Sequence, residues 1–296
     1  MQYISLHPEY FKKEGFGTLM SHYCVMYSLY KDLNIAPMIL DIDFKSKNLI
    51  TAMEGFNNFD ETIFYHHDTF SNFKNIFGII NEKDINNYNW TLKNFTNLTY
   101  DKLVKTIQSE NNNIICLWSL SSELTNKYLD EIINHLFVFN DYIIDISRNK
   151  LPKTNKQIVA ICVRNEYKKF HCPHIKLSLN FYIQAMKQYD VDNCKYLIFS
   201  DDIVESKKIF SAIENQFDIS YTEPMQSAIG LCLMSLCDHI ICANSSFSYW
   251  ASMLNKNISK KIVCSKYFID QKIDKNLANL LNHKWYPKSW IDLDII

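Results

Sequence analysis

KYLIFSDDIVESKKIF at residues 195–210 and, after a short gap, AIGLCLMSLCDHIICANSSFSYWASMLN at residues 228–255 decide how this chain folds. Two apolar runs, residues 196–199 and 239–243, each stop at small polar residues that lead into amphipathic stretches. A strand, a tight polar turn and a helix in succession form the pattern of a nucleotide-binding α/β layer. The chemistry of such a layer sits at the carboxyl ends of its strands.

The same rhythm extends outward from this stretch. Residues 158–163 (IVAICV) read as a buried strand, 217–221 as a short strand, and 261–263 as the start of a last one. Residues 177–189, 203–215, 225–236 and 247–254 read as helices, the second with Asp201 or Asp202 near its amino end. Further upstream, residues 2–6, 37–42 and 114–118 read as strands, and 19–33, 103–109 and 126–139 as helices. The last of these has its apolar face at Leu129, Ile132, Ile133 and Leu136. Residues 44–100 are polar and aromatic without a clear period and yield no element. RNKLPKTNKQ at 148–157 is polar, basic and contains a proline. It is the expected linker, dividing residues 1–150 from residues 151–296. Alternating strands and helices favour parallel sheets wrapped by helices. The expected architecture is therefore α/β, two Rossmann-like domains facing a cleft, with residues 285–290 packing back onto the body.

Composition narrows the function classes. With 296 residues, 47% hydrophobic and 14% aromatic, the chain has enough apolar mass for a sizeable core. A net charge of −1 with dispersed lysines argues against a nucleic-acid surface. The nine cysteines fall mostly inside apolar runs and form no CxxC, which points to reduced thiols in a reducing compartment. The opening MQYISLHPEYFKK has no basic region followed by an apolar one. No apolar run approaches the roughly 20 residues needed to span a bilayer. A cytoplasmic location, with peripheral membrane contact left open, is the expectation.

Three strand ends carry candidate chemistry. Arg164, at the mouth of the strand 158–163, suits a phosphate because its planar fork makes paired charge-assisted hydrogen bonds. The same position also suits a surface arginine in a salt bridge. In Ser200-Asp201-Asp202, one carboxylate can accept two hydrogen bonds from a guanine edge while the other caps the next helix. Paired carboxylates also admit a hard cation, and capping alone explains one aspartate. Asn244-Ser245-Ser246-Phe247-Ser248 places hydroxyls and backbone N–H groups at a helix start, a site for a diphosphate or simply a serine N-cap. Gly15-Phe-Gly17 precedes a helix and can aim N–H groups at an anion, or serve as an ordinary turn. His171-Cys172-Pro173-His174 and His66-His67-Asp68 group potential ligands without a second cluster, so loops near an acceptor are preferred to a metal site. Trp250 sits at helical spacing and is read as core.

Taken together, FSDDI at 199–203, LMSLCDHIICANSSFSYWASMLN at 233–255 and YPKSWI at 286–291 resemble the family 11 glycosyltransferases. These are the α-1,2-fucosyltransferases, whose members typically carry FSDD and then LMS-x-C-x-x-x-I-x-ANSSFSWWGA-x-LN. The match covers about the last third of the chain. Elsewhere the sequence departs from the pattern. The HxRRxD of the family stands here as Cys162-Val-Arg164-Asn165-Glu166-Tyr167, keeping only the first arginine. Its opening GGxGNQ-x-FQYA stands as Glu14-Gly15-Phe16-Gly17-Thr18-Leu19-Met20-Ser21-His22-Tyr23, and its WWGA as Tyr249-Trp250-Ala251-Ser252.

The resemblance implies a GT-B-like fold and a metal-independent, inverting transfer from GDP-fucose to a glycan hydroxyl, a step in carbohydrate biosynthesis. It implies that Arg164 contacts the diphosphate, that Asp201 contacts the guanine, and that Asn244, Ser245 and Ser246 belong to the β-phosphate loop. Gly15 and Gly17 would shape the loop beside the donor sugar, and Glu166 would take the role of the missing terminal aspartate. No cofactor is expected beyond the nucleotide-sugar substrate. The altered motifs keep a second reading open, a non-catalytic glycan- or nucleotide-binding relative. A dinucleotide-dependent oxidoreductase is disfavoured by the absence of GxGxxG, although Asp41 or Asp43 sits at the second strand end.

Overall fold

The computed structural model describes residues 2–6, 15–41, 69–81, 90–94, 99–117, 125–165, 174–272, 274–275, 278–279, 282 and 285–295. The chain forms two compact units, Met1–Asn140 and Asp141–Ile296.

The first unit contains strands β1 (Tyr3–Leu6), β2 (Ala36–Asp41), β3 (Gly78–Asn81), β4 (Trp90–Asn94) and β5 (Asn113–Leu117), in the sheet order β3-β2-β1-β5-β4. Every neighbouring pair in this sheet is parallel. Its helices include α1 (Phe16–Leu33), α2 (Phe73–Ile76) and α3 (Tyr100–Gln108). Helix α1 is apolar on nearly every side over its first thirteen or so residues, so it is a buried helix and not an amphipathic surface one. It ends at Asn34, whose φ of 53° is left-handed and whose N–H closes on Tyr30 O at 3.0 Å. Asparagine tolerates that conformation better than most residues. Strands β3 and β4 lie within the stretch that showed no period in the sequence.

The second unit begins with α4 (Asp141–Asn149), a helix that precedes β6 (Gln157–Val163). There follow α5 (Leu179–Met186), β7 (Cys194–Ser200), α6 (Ile203–Phe210), β8 (Ile219–Tyr221) and α7 (Ser227–Ser235). The chain then forms β9 (His239–Ile241), α8 (Ser246–Leu254), β10 (Ile262–Ser265) and β11 (Ile291–Leu293). The sheet order is β11-β10-β9-β6-β7-β8, again with all neighbours parallel. Two parallel sheets, each alternating with helices, make this a GT-B-like α/β fold built from two Rossmann-like units. Strand β11 is an addition to the sequence reading, and it pairs Val263 with Ile291 in register. Three residues with one apolar–polar alternation offered no strand signal of their own. Among the described residues, no helix is long and apolar enough to cross a membrane.

Strand β6 is buried from Ile158 to Val163 and packs with Phe181, Tyr182, Ala185, Met186 and Tyr196. Buried tyrosines in this core have oxygen partners. Tyr182 Oη donates to Cys162 O at 3.2 Å and Tyr196 Oη to Met186 O at 2.9 Å. Helix α8 carries the fully buried Trp250 and uses small polar residues to lie close to the sheet. Ser252 Oγ donates to Ser248 O at 2.9 Å, and Asn255 Nδ2, just past the helix, to Cys237 O at 2.7 Å. Lys260 Nζ meets the carbonyls of Ser252 and Asn255 at the negative end of the helix, where a cation is favoured. Because Trp250 fills the space between α8 and its neighbours, Trp250→Ala should cost about 3–5 kcal/mol in chemical denaturation. A loss below about 1 kcal/mol would remove this side chain from the core.

Candidate functional site

Strand order determines where a ligand fits in the second unit. From β6 the chain runs outward through β7 and β8, then returns to place β9, β10 and β11 on the other side of β6. The crevice at such a switch point opens beyond the carboxyl ends of β6 and β9. Residues 164–165 and 242–246 therefore flank it, and the end of β7 adjoins β6 in register, Val163 beside Ser200.

On the β6 side, Arg164 Nε lies 3.5 Å from Asp201 Oδ2, the two side chains being 33% and 25% exposed. The Asn165 backbone N–H donates to Asp201 Oδ1 at 2.8 Å. Asp202 has a different task. It is the N-cap of α6, accepting the Glu205 N–H at 2.9 Å. The capping role that the sequence left to one of the two aspartates thus falls to Asp202, while Asp201 lies at the strand end beside Arg164.

On the β9 side, Ser245 is the N-cap of α8 and its Oγ accepts the Phe247 N–H at 3.2 Å. Ser248 Oγ, one turn on, donates to Ala243 O at 3.0 Å and pins the start of the helix against the strand end. Ser246 is half-buried at the first helical position. Asn244 is fully buried, and its Nδ2 donates to Ile175 O at 3.0 Å and Tyr267 O at 2.9 Å. Its amide hydrogens hold two neighbouring loops together. From the carboxyl-terminal segment, Tyr286 Oη donates to Ala243 O at 3.0 Å and braces the same turn.

His174, which the sequence reading assigned to a loop near an acceptor, belongs to this neighbourhood. Its ring packs edge-on against Phe268 at 4.5 Å, and residue 175 is held by the Asn244 amide. Burial lowers its pKa to about 4, and the nearby Arg164 guanidinium acts in the same direction. A weaker hydrogen bond with the Asn244 backbone opposes them. His174 is therefore neutral near pH 7. Cys162, at the end of β6, is also neutral, with burial and then Asp201 pushing its thiol up to about 11.

Other candidates are placed apart from this crevice or outside the described residues. Gly15 and Gly17 lie in the first unit, where Gly15 is the N-cap of α1 and Gly17 falls within its first turn. The helix starts three residues earlier than expected, so Gly17 is helical and not part of a loop. Neither glycine has positive φ, and a Cβ at Gly15 would meet nothing within 4 Å. Glu166, His171, Cys172, His66, His67 and Asp68 lie outside the described residues. Asn165 and Ser200 entered the sequence reading only as members of their motifs, with no role of their own, and Ser206 not at all. They form a hydrogen-bonded group at the β6–β7 edge, and polar residues dispersed over a strand end and a helix carry no spacing signal.

Comparison with known proteins agrees with this layout. The profile described as Glycosyl transferase family 11 matches residues 66–291. The O-antigen biosynthesis glycosyltransferase WbnK of Escherichia coli is 26% identical over 313 residues, covering 94% of this chain and 98% of that protein. Among solved structures, the fucosyltransferase NodZ from Bradyrhizobium superposes with a TM-score of 0.53 at 12% identity, covering 86% of this chain and 93% of its own. POFUT1 in complex with GDP-fucose gives 0.53 at 12% identity, covering 89% of this chain and 98% of that one.

The lowered pKa of His174 has a thermodynamic consequence. Below its ordinary value of 6.5 the unfolded chain binds a proton that the folded chain refuses until about pH 4. Its contribution to stability is present above pH 6.5 and is lost as pH falls from 6.5 toward 4. His174→Gln should flatten the fall of stability across that window, measured by denaturation at successive pH values. An unchanged slope would show the ring to be solvated in the folded chain.

Proposed function

The chain belongs to glycosyltransferase family 11, and from that premise we propose that it transfers a sugar, fucose in the first instance, from a GDP-sugar to a hydroxyl of a glycan acceptor, inverting the anomeric centre without a metal ion. The observation that carries the proposal is the pairing of Arg164 with Asp201 at 3.5 Å beside the switch point, facing a helix start capped by Ser245. An arginine, a carboxylate and a helix amino terminus are the groups that a purine diphosphate requires. The arginine and the helix end meet phosphate charge. The carboxylate accepts from the N1–H and exocyclic amine of guanine.

Relatives supply the donor and acceptor classes. POFUT1 has been crystallised with GDP-fucose, and a relative covering nearly the whole chain is named for O-antigen biosynthesis. In this reading the second unit takes the nucleotide sugar and the first unit takes the acceptor. The acceptor oxygen attacks the anomeric carbon as the bond from that carbon to the β-phosphate oxygen breaks. The electron pair leaves with GDP, and the acceptor proton passes to a base. Charge growing on the departing phosphate is met by Arg164 and by the N–H groups at the start of α8, near Ser245 and Ser246. Asn244 serves the site by fixing the walls of the phosphate loop. Glu166 is retained as a candidate catalytic carboxylate because it is one position before the motif's terminal aspartate.

Two measurements test the proposal. GDP should raise the thermal midpoint more than ADP or UDP, with no divalent cation added. A shift with another nucleotide and none with GDP would overturn the donor assignment. Arg164→Ala should lower turnover more than about tenfold with the fold intact, as expected for lost leaving-group stabilisation. Unchanged turnover would take Arg164 out of the mechanism.

A further inference from the structure

Asn165 stands next to the proposed phosphate-binding arginine, yet its side chain turns away from the crevice. Its Nδ2 lies 2.9 Å from Ser206 Oγ, 3.2 Å from Ser200 Oγ and 3.2 Å from the Asp202 carbonyl, so two hydrogens are shared among three acceptors. The acceptors are themselves joined. Ser206 Oγ donates to Ser200 Oγ at 2.8 Å, and Ser200 Oγ accepts the Asp202 N–H at 3.0 Å. Ser206 is fully buried in the first turn of α6, and Ser200 ends β7. One amide therefore fastens the exit of β6 to both the exit of β7 and the start of α6.

The consequence falls on Asp201. With the Asn165 side chain anchored, its backbone N–H points at Asp201 Oδ1 at 2.8 Å, and Oδ2 is turned toward Arg164. Stability alone is a poor account of this asparagine. Its Oδ1 is buried with no hydrogen-bond partner among the described residues, a loss that natural cores rarely carry. Locally unfavourable polar groups of this kind are expected where a site must be held in shape.

We infer that Asn165 is a positioning residue that sets the Asp201 carboxylate for reading the nucleotide base. The inference rests on the proposed role of Asp201 as the guanine contact. Asn165 touches neither base nor phosphate. It acts through the orientation of Asp201, so its effect falls on base discrimination and on donor KM, and kcat changes little.

Inosine diphosphate lacks the exocyclic amine of guanine and separates these roles. Calorimetric titration of the full chain should show GDP bound about tenfold more tightly than inosine diphosphate, the worth of one hydrogen bond to a charged acceptor. Asp201→Asn should abolish that preference. Asn165→Ala should reduce it to about twofold by releasing the acceptor on which that hydrogen bond depends. Ser206→Ala, a milder change at a residue that meets no ligand, should reduce it in part. The Asn165→Ala/Ser206→Ala double variant should be no worse than Asn165→Ala alone, because the two residues act through one tether. A preference lost in Asp201→Asn but retained in both Asn165→Ala and Ser206→Ala overturns the positioning role and leaves the guanine reading standing. A wild-type chain that binds the two nucleotides equally overturns the guanine reading, and this inference with it.

Discussion

The position of β6 in its sheet is the constraint from which the second unit follows. A strand buried on both faces must find partners on both edges, and β6 takes β7 on one and β9 on the other. Right-handed crossovers then oblige the helices that follow β6 and β9 to diverge. The gap left at their carboxyl ends is a place in the layer where polar groups can gather without breaking the core. Arg164, Asn165, Asp201, Ser245 and Ser246 all lie at that edge because the strands deliver them there. Immediately behind them, Cys162, Val163, Cys242 and Ala243 are all buried, so polarity changes over one or two residues.

Charge at this edge is balanced within the protein. Arg164 faces Asp201 at 3.5 Å, too far for a strong hydrogen bond, and both side chains keep partial access to solvent. Ion pairs in such a setting contribute about 0–1 kcal/mol. A nucleotide that offers phosphate to the arginine and N–H donors to the carboxylate replaces one weak contact with several charge-assisted ones. Asp201 Oδ1 already accepts from Asn165, but a carboxylate has about four lone-pair sites, so that contact steadies the group without exhausting it.

How much of this was legible in the sequence depended on how local each signal was. Apart from α4 and β11, the strands and helices of the second unit were readable because apolar runs end sharply at polar turns, as at Phe199-Ser200 and Ala243-Asn244. That one of Asp201 and Asp202 caps the following helix was also readable, since a cap has a fixed place relative to its helix. Strands β3 and β4 were not, because runs of four and five residues without a clear period carry no strand signal of their own and show themselves only by pairing with β2 and β5. Gly17 was misplaced because Phe16, buried at 7% exposure, extends α1 upstream of where its periodicity becomes clear. The Asn165 tether is the least local feature of all. It joins residue 165 to residues 200 and 206, and nothing in the spacing of those letters announces that they meet.

The geometry also constrains which group takes the acceptor's proton. Inverting displacement brings the nucleophile to one face of the anomeric carbon as the leaving group departs from the other. If Arg164 meets the departing phosphate, any side chain beside Arg164 lies on the leaving-group face. Burial, and then the charge of the Arg164 guanidinium, lower the pKa of His174 to about 4, so its ring is neutral near pH 7. A neutral imidazole has the right protonation state for a base, and for that reason it is a tempting choice. On the proposed mechanism a base on the leaving-group side cannot reach an oxygen that attacks from the opposite face. Its place between Phe268 and the loop held by Asn244 fits a wall of the phosphate site, where an uncharged ring packs beside Arg164 without adding a second positive charge.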